Sequence, residues 1–206
     1  MEEGLVVFEA GFKEIELSNC WVLKRVIEYT LALGNILNGG TDKGQADGFN
    51  FESIDKIFNI KDVNGKPAAF FICQELVKEN PDCINYKQKL VNFYATKRYG
   101  WENLFPGFET YLWSCESMYQ KAKALADKID DETDEFKMKA PIEMNQVVKS
   151  VTDIMDWYKA VKKQWERYCK YFDFNDEKKD ESQKFTKWFI EFFDTLDKYF
   201  PKQKKK

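Results

Sequence analysis

Residues 31–60 have the sequence LALGNILNGGTDKGQADGFNFESIDKIFNI and divide the chain into a short part before a loop and a long part after it. The stretch opens with the end of an apolar segment of helical periodicity. Gly39 and Gly40 predict the end of that helix, because glycine readily takes the positive φ found at helix C-termini. Phe51 to Phe58 predicts a short apolar helix after the loop. The small residues that leave the loop open to close approach are Gly39, Gly40, Gly44, Ala46 and Gly48.

The composition indicates a mostly helical protein without a membrane span. The 206 residues are enough to bury a core in one domain or in two small ones. Aromatic residues make up 17% of the chain and recur at helical spacing, while only five prolines interrupt it. No apolar run approaches the length of a transmembrane helix. A net charge of −3 gives no reason to expect binding to nucleic acid or to an anionic membrane.

The residue types argue against an enzyme and against a bound metal or cofactor. The chain has no histidine, which removes the commonest general base and a frequent zinc ligand. Five scattered cysteines form no C-x-x-C pair and predict reduced structural thiols in a cytoplasmic protein. The glycine loop follows a helix and lacks the Gly-Lys-Ser/Thr ending of a phosphate-binding loop. Catalysis by carboxylates or lysine alone stays open, but no motif indicates it.

Several shorter helices are predicted around this loop. An apolar stripe predicts a helix over residues 3–16, although Gly4 and Gly11 weaken it. Ser18 or Asn19 is expected to cap a second, centrally placed helix that continues to the glycines. After a turn at residues 62–65, helical patterns cover residues 68–78 and 82–94.

Two long helices with sustained 4-3 spacing follow, which is typical of helices that pack along a narrow seam. The acidic stretch Asp127 to Glu135 between them allows the chain to reverse, and Pro141 is expected in the first turn of the second helix or at a kink. We favour an antiparallel hairpin within one chain over a coiled coil between subunits. The seam positions are Phe108, Leu112, Cys115, Tyr119, Ala122, Ala126 and Ile129, then Val147, Val151, Ile154, Tyr158, Val161, Trp165, Tyr168 and Phe172.

The last predicted helix has a broad aromatic face, Phe185 to Phe193, which must be covered. Residues 202–206, KQKKK, form a basic tail that we expect to be solvated. The expected fold class is therefore all-α, an elongated helical bundle with long antiparallel, coiled-coil-like helices. We expect residues 1–201 to form a single helical domain.

The ordered series in the loop resembles the signature of the formin homology 2 domain, in which Gly-Asn-x-x-Asn-x-Gly precedes a small-residue loop, Gly-Phe and an apolar helix with a basic residue. Later segments are similar to the same family: Asp134-Glu135-Phe136, residues 171–175 (YFDFN) and the aromatic helix from Phe185. The matching residues of the loop region are Gly34, Asn35, Asn38, Gly39 or Gly40, Gly44, Ala46, Gly48, Phe49, Ile54 and Lys56.

The resemblance implies an actin-binding cytoskeletal module of the cytoplasm that acts without covalent chemistry. It implies that Lys56 contacts actin, and that the loop region belongs to the post, whose pocket receives the lasso of a second subunit. The asparagines are expected to hold the loop through side-chain hydrogen bonds to the backbone. The residues assigned to the lasso-receiving pocket are Gly34, Asn35, Asn38, Gly39, Gly44, Ala46, Gly48 and Phe49.

The resemblance covers only the C-terminal half of the family's domain. About 30 residues precede the Gly-Asn motif, too few for the family's lasso, linker and knob. We therefore expect a fragment of a longer protein or a reduced homologue, a monomer or weak dimer in isolation, and weak or absent nucleation and barbed-end activity. The alternative is a structural helical scaffold that binds another helix through its aromatic face and has no actin activity.

Overall fold

The computed structural model describes residues 2–99, 108–172, 174 and 181–201. It is 75% helical, and the described residues contain no strand, only an isolated bridge between Lys61 and Pro67, so the all-α prediction is confirmed. The α-helices are α1 (Glu2–Ile15), α2 (Trp21–Leu37), α3 (Ile54–Phe58), α4 (Ala68–Glu79), α5 (Val91–Ala95), α6 (Phe108–Ala126), α7 (Glu135–Tyr171) and α8 (Glu181–Asp197). Three 3₁₀ helices are Phe51–Ser53, Pro81–Lys89 and Thr96–Arg98. The predictions for Asp173, Asn175 and residues 202–206 lie outside this described part.

Helix α1 packs closely against α5 at Gly11. A Cβ atom on Gly11 would lie 3.0 Å from the Cα atom and 3.1 Å from the backbone nitrogen of Phe93. Gly11, which weakens the helix prediction locally, is thus the point at which two backbones approach. The carboxylate of Glu14 accepts hydrogen bonds from the backbone N–H groups of Asn92 (3.2 Å) and Phe93 (2.8 Å), which fixes the start of α5.

Helix α2 begins after Cys20, and no side-chain hydrogen bond caps it. The prediction of a Ser18 or Asn19 cap is wrong, because the Asn19 amide donates instead to the Lys13 carbonyl at the end of α1 (2.9 Å). The prediction that α2 is central holds for its first half only. Its early apolar residues are buried, whereas Ile36 and Leu37 at its end are exposed.

The apolar pattern predicts a helix over residues 82–94, but these residues do not form one continuous α-helix. The chain forms a 3₁₀ helix over Pro81–Lys89, capped by the Asn80 side chain, which accepts from the Asp82 backbone N–H (3.1 Å). Cys83 and Tyr86 are both buried there, and residues three apart lie on one side of a 3₁₀ helix. The short α5 then follows.

The aromatic face of α8 is covered by the chain's own core, as its pattern predicts. Phe185, Phe189 and Phe193 are fully buried. The Tyr86 hydroxyl donates a hydrogen bond to the Phe193 carbonyl (2.6 Å), which attaches the preceding 3₁₀ segment to α8. The stripe that motivates the scaffold alternative is therefore core and leaves little aromatic surface for a partner helix.

Helices α6 and α7 form the predicted intramolecular hairpin. Residues 127–134 join them, and Asp134 caps α7 by accepting from the Lys137 backbone N–H (3.0 Å). Pro141 lies inside α7, six residues after its start, so the first-turn prediction is wrong. The second half of α7 enters the core with Trp165 and Tyr168.

The first half of α7 packs mainly on α6, and α6 has no other extensive packing partner among the described helices. The seam prediction fails at Val147, which is exposed in the described part of the structure.

Candidate functional site

The loop that follows α2 is closed by the side chain of Asn35. Its amide nitrogen donates to the Ala46 carbonyl (3.0 Å), and its carbonyl oxygen accepts from the Ala46 backbone N–H (2.8 Å). The side chain therefore pairs with the loop as a neighbouring strand would. The side-chain hydrogen bonding expected of the asparagines is thus present at Asn35, and it ties the far side of the loop to the last turn of α2.

Asn38 contributes through its backbone carbonyl oxygen. That oxygen accepts hydrogen bonds from the Thr41 backbone N–H (3.0 Å) and hydroxyl (2.8 Å). A Cβ atom on Gly44 would lie 2.7 Å from the same oxygen, a distance that real Cβ atoms do not reach. Gly44 is thus required for the loop to fold back on the end of α2.

The helix stop differs in detail from the prediction. Asn38 is the C-cap of α2, and of the two following glycines only Gly40 has a positive φ, +80°. Gln45 also has a positive φ of 60°, which is uncommon for a residue with a side chain. Its position next to Ala46 suggests that the Asn35 clamp holds this conformation in place.

Gly34 and Gly48 are not required by the chain's own packing. Neither has a positive φ. A Cβ atom on Gly34 would make only an ordinary contact, 3.8 Å from Ile57, and one on Gly48 would meet nothing within 4 Å. These two positions leave bare backbone surface on either side of the clamped loop.

The far end of the loop is anchored in the aromatic core. Phe49 is half-buried, and Phe51 is buried among aromatic rings from α8 and the end of α7. The centroid distances from Phe51 are 4.8 Å to Phe172, 4.6 Å to Trp188, 5.0 Å to Phe189 and 5.7 Å to Phe192. The loop is therefore fixed by a hydrogen-bonded clamp at one end and by ring packing at the other.

Lys56 lies on α3, just beyond this anchor, and its side chain is exposed. It makes no ion pair with any residue that the structure describes. Beside it, partial burial and then the nearby Glu191 carboxylate raise the pKa of Asp55. The cation is thus available to an external acidic group.

Sequence reasoning misses two residues of this surface. Ile36 is 75% exposed and Leu37 is also exposed, although both belong to the apolar end of α2. An apolar helix end without cover next to the loop is detectable only once the structure shows which side of α2 is buried. The structure brings together Gly34, Asn35, Asn38, Gly39, Gly44 and Ala46, with Gly48 and Phe49 on the way to the core, while Lys56 stands on a separate helix.

The chemistry of the remaining groups gives no second site. No group of metal-ligating side chains occurs among the residues that the structure describes. All five cysteines are buried as free thiols, and burial raises the pKa of Cys20 to about 11 and that of Cys73 to about 12. No helix of the described ranges has the length and apolar character of a membrane span.

Comparison with known proteins assigns the family. The family model of the Formin Homology 2 Domain matches residues 5–197, from within α1 to the end of α8. The chain belongs to the formin homology 2 family. The predicted resemblance is therefore confirmed, and the clamped loop and α3 are parts of a formin homology 2 fold.

Formins from several organisms are similar to this formin homology 2 chain. Formin-A of Dictyostelium discoideum is 24% identical over 193 residues, 93% of this chain and 16% of the relative. Formin-like protein 18 of Arabidopsis thaliana is 30% identical over 99 residues, 48% of this chain and 8% of the relative. FH2 domain-containing protein 1 of Homo sapiens is 33% identical over 89 residues, 43% of this chain and 8% of the relative. The chain thus spans less than a fifth of the length of each of these proteins.

Proposed function

We propose that this chain is an actin-binding module of the cytoplasmic cytoskeleton, with residues 1–201 acting as one domain. The family match over residues 5–197 carries this proposal. The module acts by binding and uses no covalent chemistry. In isolation, its nucleation and barbed-end activity is weak or absent.

Lys56 is the proposed actin contact. Its support is its place in the family's motif, its exposure on α3 and its lack of an ion pair among the described residues. A cation that no internal acid neutralises is suited to a complementary acidic surface and mainly increases the association rate. Lys61 is also exposed and lies outside the motif, which makes it a matched control.

Pyrene-actin assembly and filament co-sedimentation test this contact. We expect co-pelleting that weakens as salt rises, because exposed charges are screened within about 10 Å at 0.1 M salt. Lys56→Ala should reduce it, and Lys61→Ala should leave it near the wild-type level. Identical, inactive results for all three proteins would remove actin binding from the proposal and leave the scaffold alternative.

The clamped loop is the proposed receptor for a lasso segment supplied by another formin homology 2 subunit. Gly34 and Gly48 support this assignment, because the fold itself does not need glycine at either position. A glycine inside a helix costs about 1 kcal/mol relative to alanine. Ile36 and Leu37 would supply apolar contacts beside the bare backbone.

Titration with a lasso peptide from a related formin tests the receptor. Gly48→Trp should abolish binding while the protein stays folded, because the position faces open space. Lys163→Trp, an exposed substitution on α7, is the control and should bind as the wild type does. Absence of wild-type binding, or equal binding by Gly48→Trp, would refute the receptor assignment.

A further inference from the structure

The last turns of α7 carry a row of cations on the side that faces away from the core. Successive residues of a helix are turned by about 100°, so a residue two positions from a buried one lies on the opposite side. The buried residues of these turns are Val161, Trp165, Tyr168, Cys169 and Phe172. Four exposed cations each stand two positions from one or two of them, at spacings of four, four and three residues. We call these four the basic row: Lys159, Lys163, Arg167 and Lys170.

The basic row is only partly neutralised within the chain. Lys159 pairs with Asp156 at 3.4 Å, and Arg167 pairs with Glu16 at 3.6 Å. These side chains are between 39% and 69% exposed, and ion pairs exposed to water contribute little to stability. The other two cations of the row make no ion pair with any residue that the structure describes. They are Lys163 and Lys170.

Such a row destabilises the chain that carries it. Like charges three or four residues apart on a helix repel one another, and every neighbouring pair of the basic row has this spacing. Residues 159–170 contain five cations and one acid, whereas the whole chain has a net charge of −3. The row is therefore a local concentration of positive charge, and an external acidic surface would relieve its repulsion.

The overall charge of the chain favours a protein as the source of that acidic surface. A nucleic acid or an anionic membrane presents negative charge everywhere and would repel the acidic remainder of the chain. A protein surface presents its acids in patches. The row is about 16 Å long, which suits such a patch better than a single carboxylate.

We propose that the basic row is a second contact with the acidic surface of the actin filament. The identity of this partner rests on the proposed function, and the row adds a surface that lies outside the motif around Lys56. Because the row is exposed, its charges mainly increase the association rate, and they act less as salt rises.

Filament co-sedimentation of the whole chain at about 50 and 200 mM salt tests the contact. Lys163→Glu/Lys170→Glu should raise the Kd at least about fivefold at the lower salt and by less at the higher salt. Lys123→Glu/Lys128→Glu is the control and should leave the Kd near the wild-type value. It changes the net charge equally, at two exposed lysines that make no ion pair within the described ranges.

A melting temperature separates lost binding from lost folding. The reversed charges stand beside the remaining cations of the row, so the melting temperature of Lys163→Glu/Lys170→Glu should not fall. The milder Lys163→Gln/Lys170→Gln should give a Kd between those of the wild type and the reversal, and it keeps the test valid if the reversal unfolds the chain.

The outcomes separate this proposal from the proposed function. Binding that Lys56→Ala weakens but the reversal of the row leaves unchanged overturns the second contact and keeps actin binding. Absence of co-pelleting by every protein, the wild type included, overturns both. Equal losses in the two double reversals overturn the second contact, because net charge alone would then explain them. Row-dependent binding to phosphatidylserine vesicles, together with row-independent binding to filaments, also overturns it, because the row would then serve a membrane.

Discussion

The Asn35 carboxamide and the Ala46 backbone exchange two hydrogen bonds, 3.0 and 2.8 Å long, across eleven positions of sequence. A single side chain thereby replaces the ladder that a neighbouring strand would supply. Each neutral hydrogen bond of this kind contributes about 0.5–1.5 kcal/mol to stability. The loop between the two residues therefore depends on one amide group.

Asn35→Ala is expected to release the loop without unfolding the helices. Both hydrogen bonds vanish, so amide hydrogen exchange at Ala46 should quicken roughly tenfold or more, in line with the free energy of two such bonds. The urea midpoint should fall as well, because the two hydrogen bonds together contribute about 1–3 kcal/mol to stability. Asn59→Ala is a matched control, since Asn59 donates to the carbonyl of Asp55 within its own helix end. Unchanged exchange at Ala46 would contradict the clamp.

Gly44→Ala and Gly48→Ala should change the free energy of unfolding differently, in sign or in size, although both positions belong to one loop. The added methyl at residue 44 meets the Asn38 carbonyl at 2.7 Å, so we expect a loss of about 1–3 kcal/mol in the free energy of unfolding. At residue 48 it meets nothing, and the unfolded chain loses entropy, so the change should be neutral or stabilising by up to about 1 kcal/mol. Urea denaturation measures both, and equal values would disprove the distinction.

Gly11→Ala and Gly34→Ala form a second pair, this time inside helices. Helix propensity alone favours alanine by about 1 kcal/mol at each position. At Gly11 the new Cβ would lie 3.0 Å from the Phe93 backbone, tighter than most real Cβ contacts, so a net loss of stability is expected despite the gain in helix propensity. At Gly34 the nearest atom is a side-chain methyl at 3.8 Å, so a net gain is expected. The melting temperatures of both variants test these two expected changes in stability. A Gly11→Ala variant that is more stable than the wild type would show that α1 and α5 can separate enough to accommodate a methyl group.

Acid should weaken the contact between α1 and α7. Hydrogen bonds from Lys13 and then from Trp157 lower the pKa of Glu9. Because the folded-state pKa lies below the unfolded value, the ionised carboxylate stabilises the fold above pH ~4.5 and loses this effect as the pH falls through the folded-state pKa. The contribution should stay below about 1 kcal/mol, since the group is partly solvated.

Trp157→Phe removes the indole N–H that donates to Glu9, so comparing this variant with the wild type isolates the effect of that hydrogen bond. The difference in melting temperature between wild type and variant should be present near pH 7 and shrink as the pH falls through the lowered folded-state pKa of Glu9, where the carboxylate takes up its proton. A difference that stays constant over this range would assign the effect of Trp157 to packing alone.

The sequence predicts correctly the helices whose buried residues lie on one face. Its predictions fail for caps and for exposure, which depend on contacts with other parts of the fold. The stripes of α1 and α8 require only that one side be covered, and the core covers them. The cap of α2 fails because the Asn19 amide finds an acceptor in the preceding helix. Val147 satisfies the 4-3 spacing but is exposed, and spacing alone does not tell which positions a neighbouring helix covers.

The loop is predictable as a motif but not residue by residue. The asparagines and glycines identify the family, and the hydrogen bonding of Asn35 follows from its side chain. That Gly44 is required sterically while Gly48 is free depends on where the Asn38 carbonyl points. The exposure of Ile36 likewise depends on which elements α2 meets, and this information is absent from a local pattern.

The burial of Phe51 against Phe172, Trp188, Phe189 and Phe192 also fixes the order in which the molecule can be built. During translation, at roughly 5–20 residues per second, the loop is synthesised early. The aromatic residues that pack on Phe51 begin with Phe172, about 120 residues later. For several seconds the nascent chain has a loop whose far end has no place to bind. A chain that is cut short before residue 185 would keep the Asn35–Ala46 clamp but lose the ring packing that anchors Phe51 at the far end of the loop.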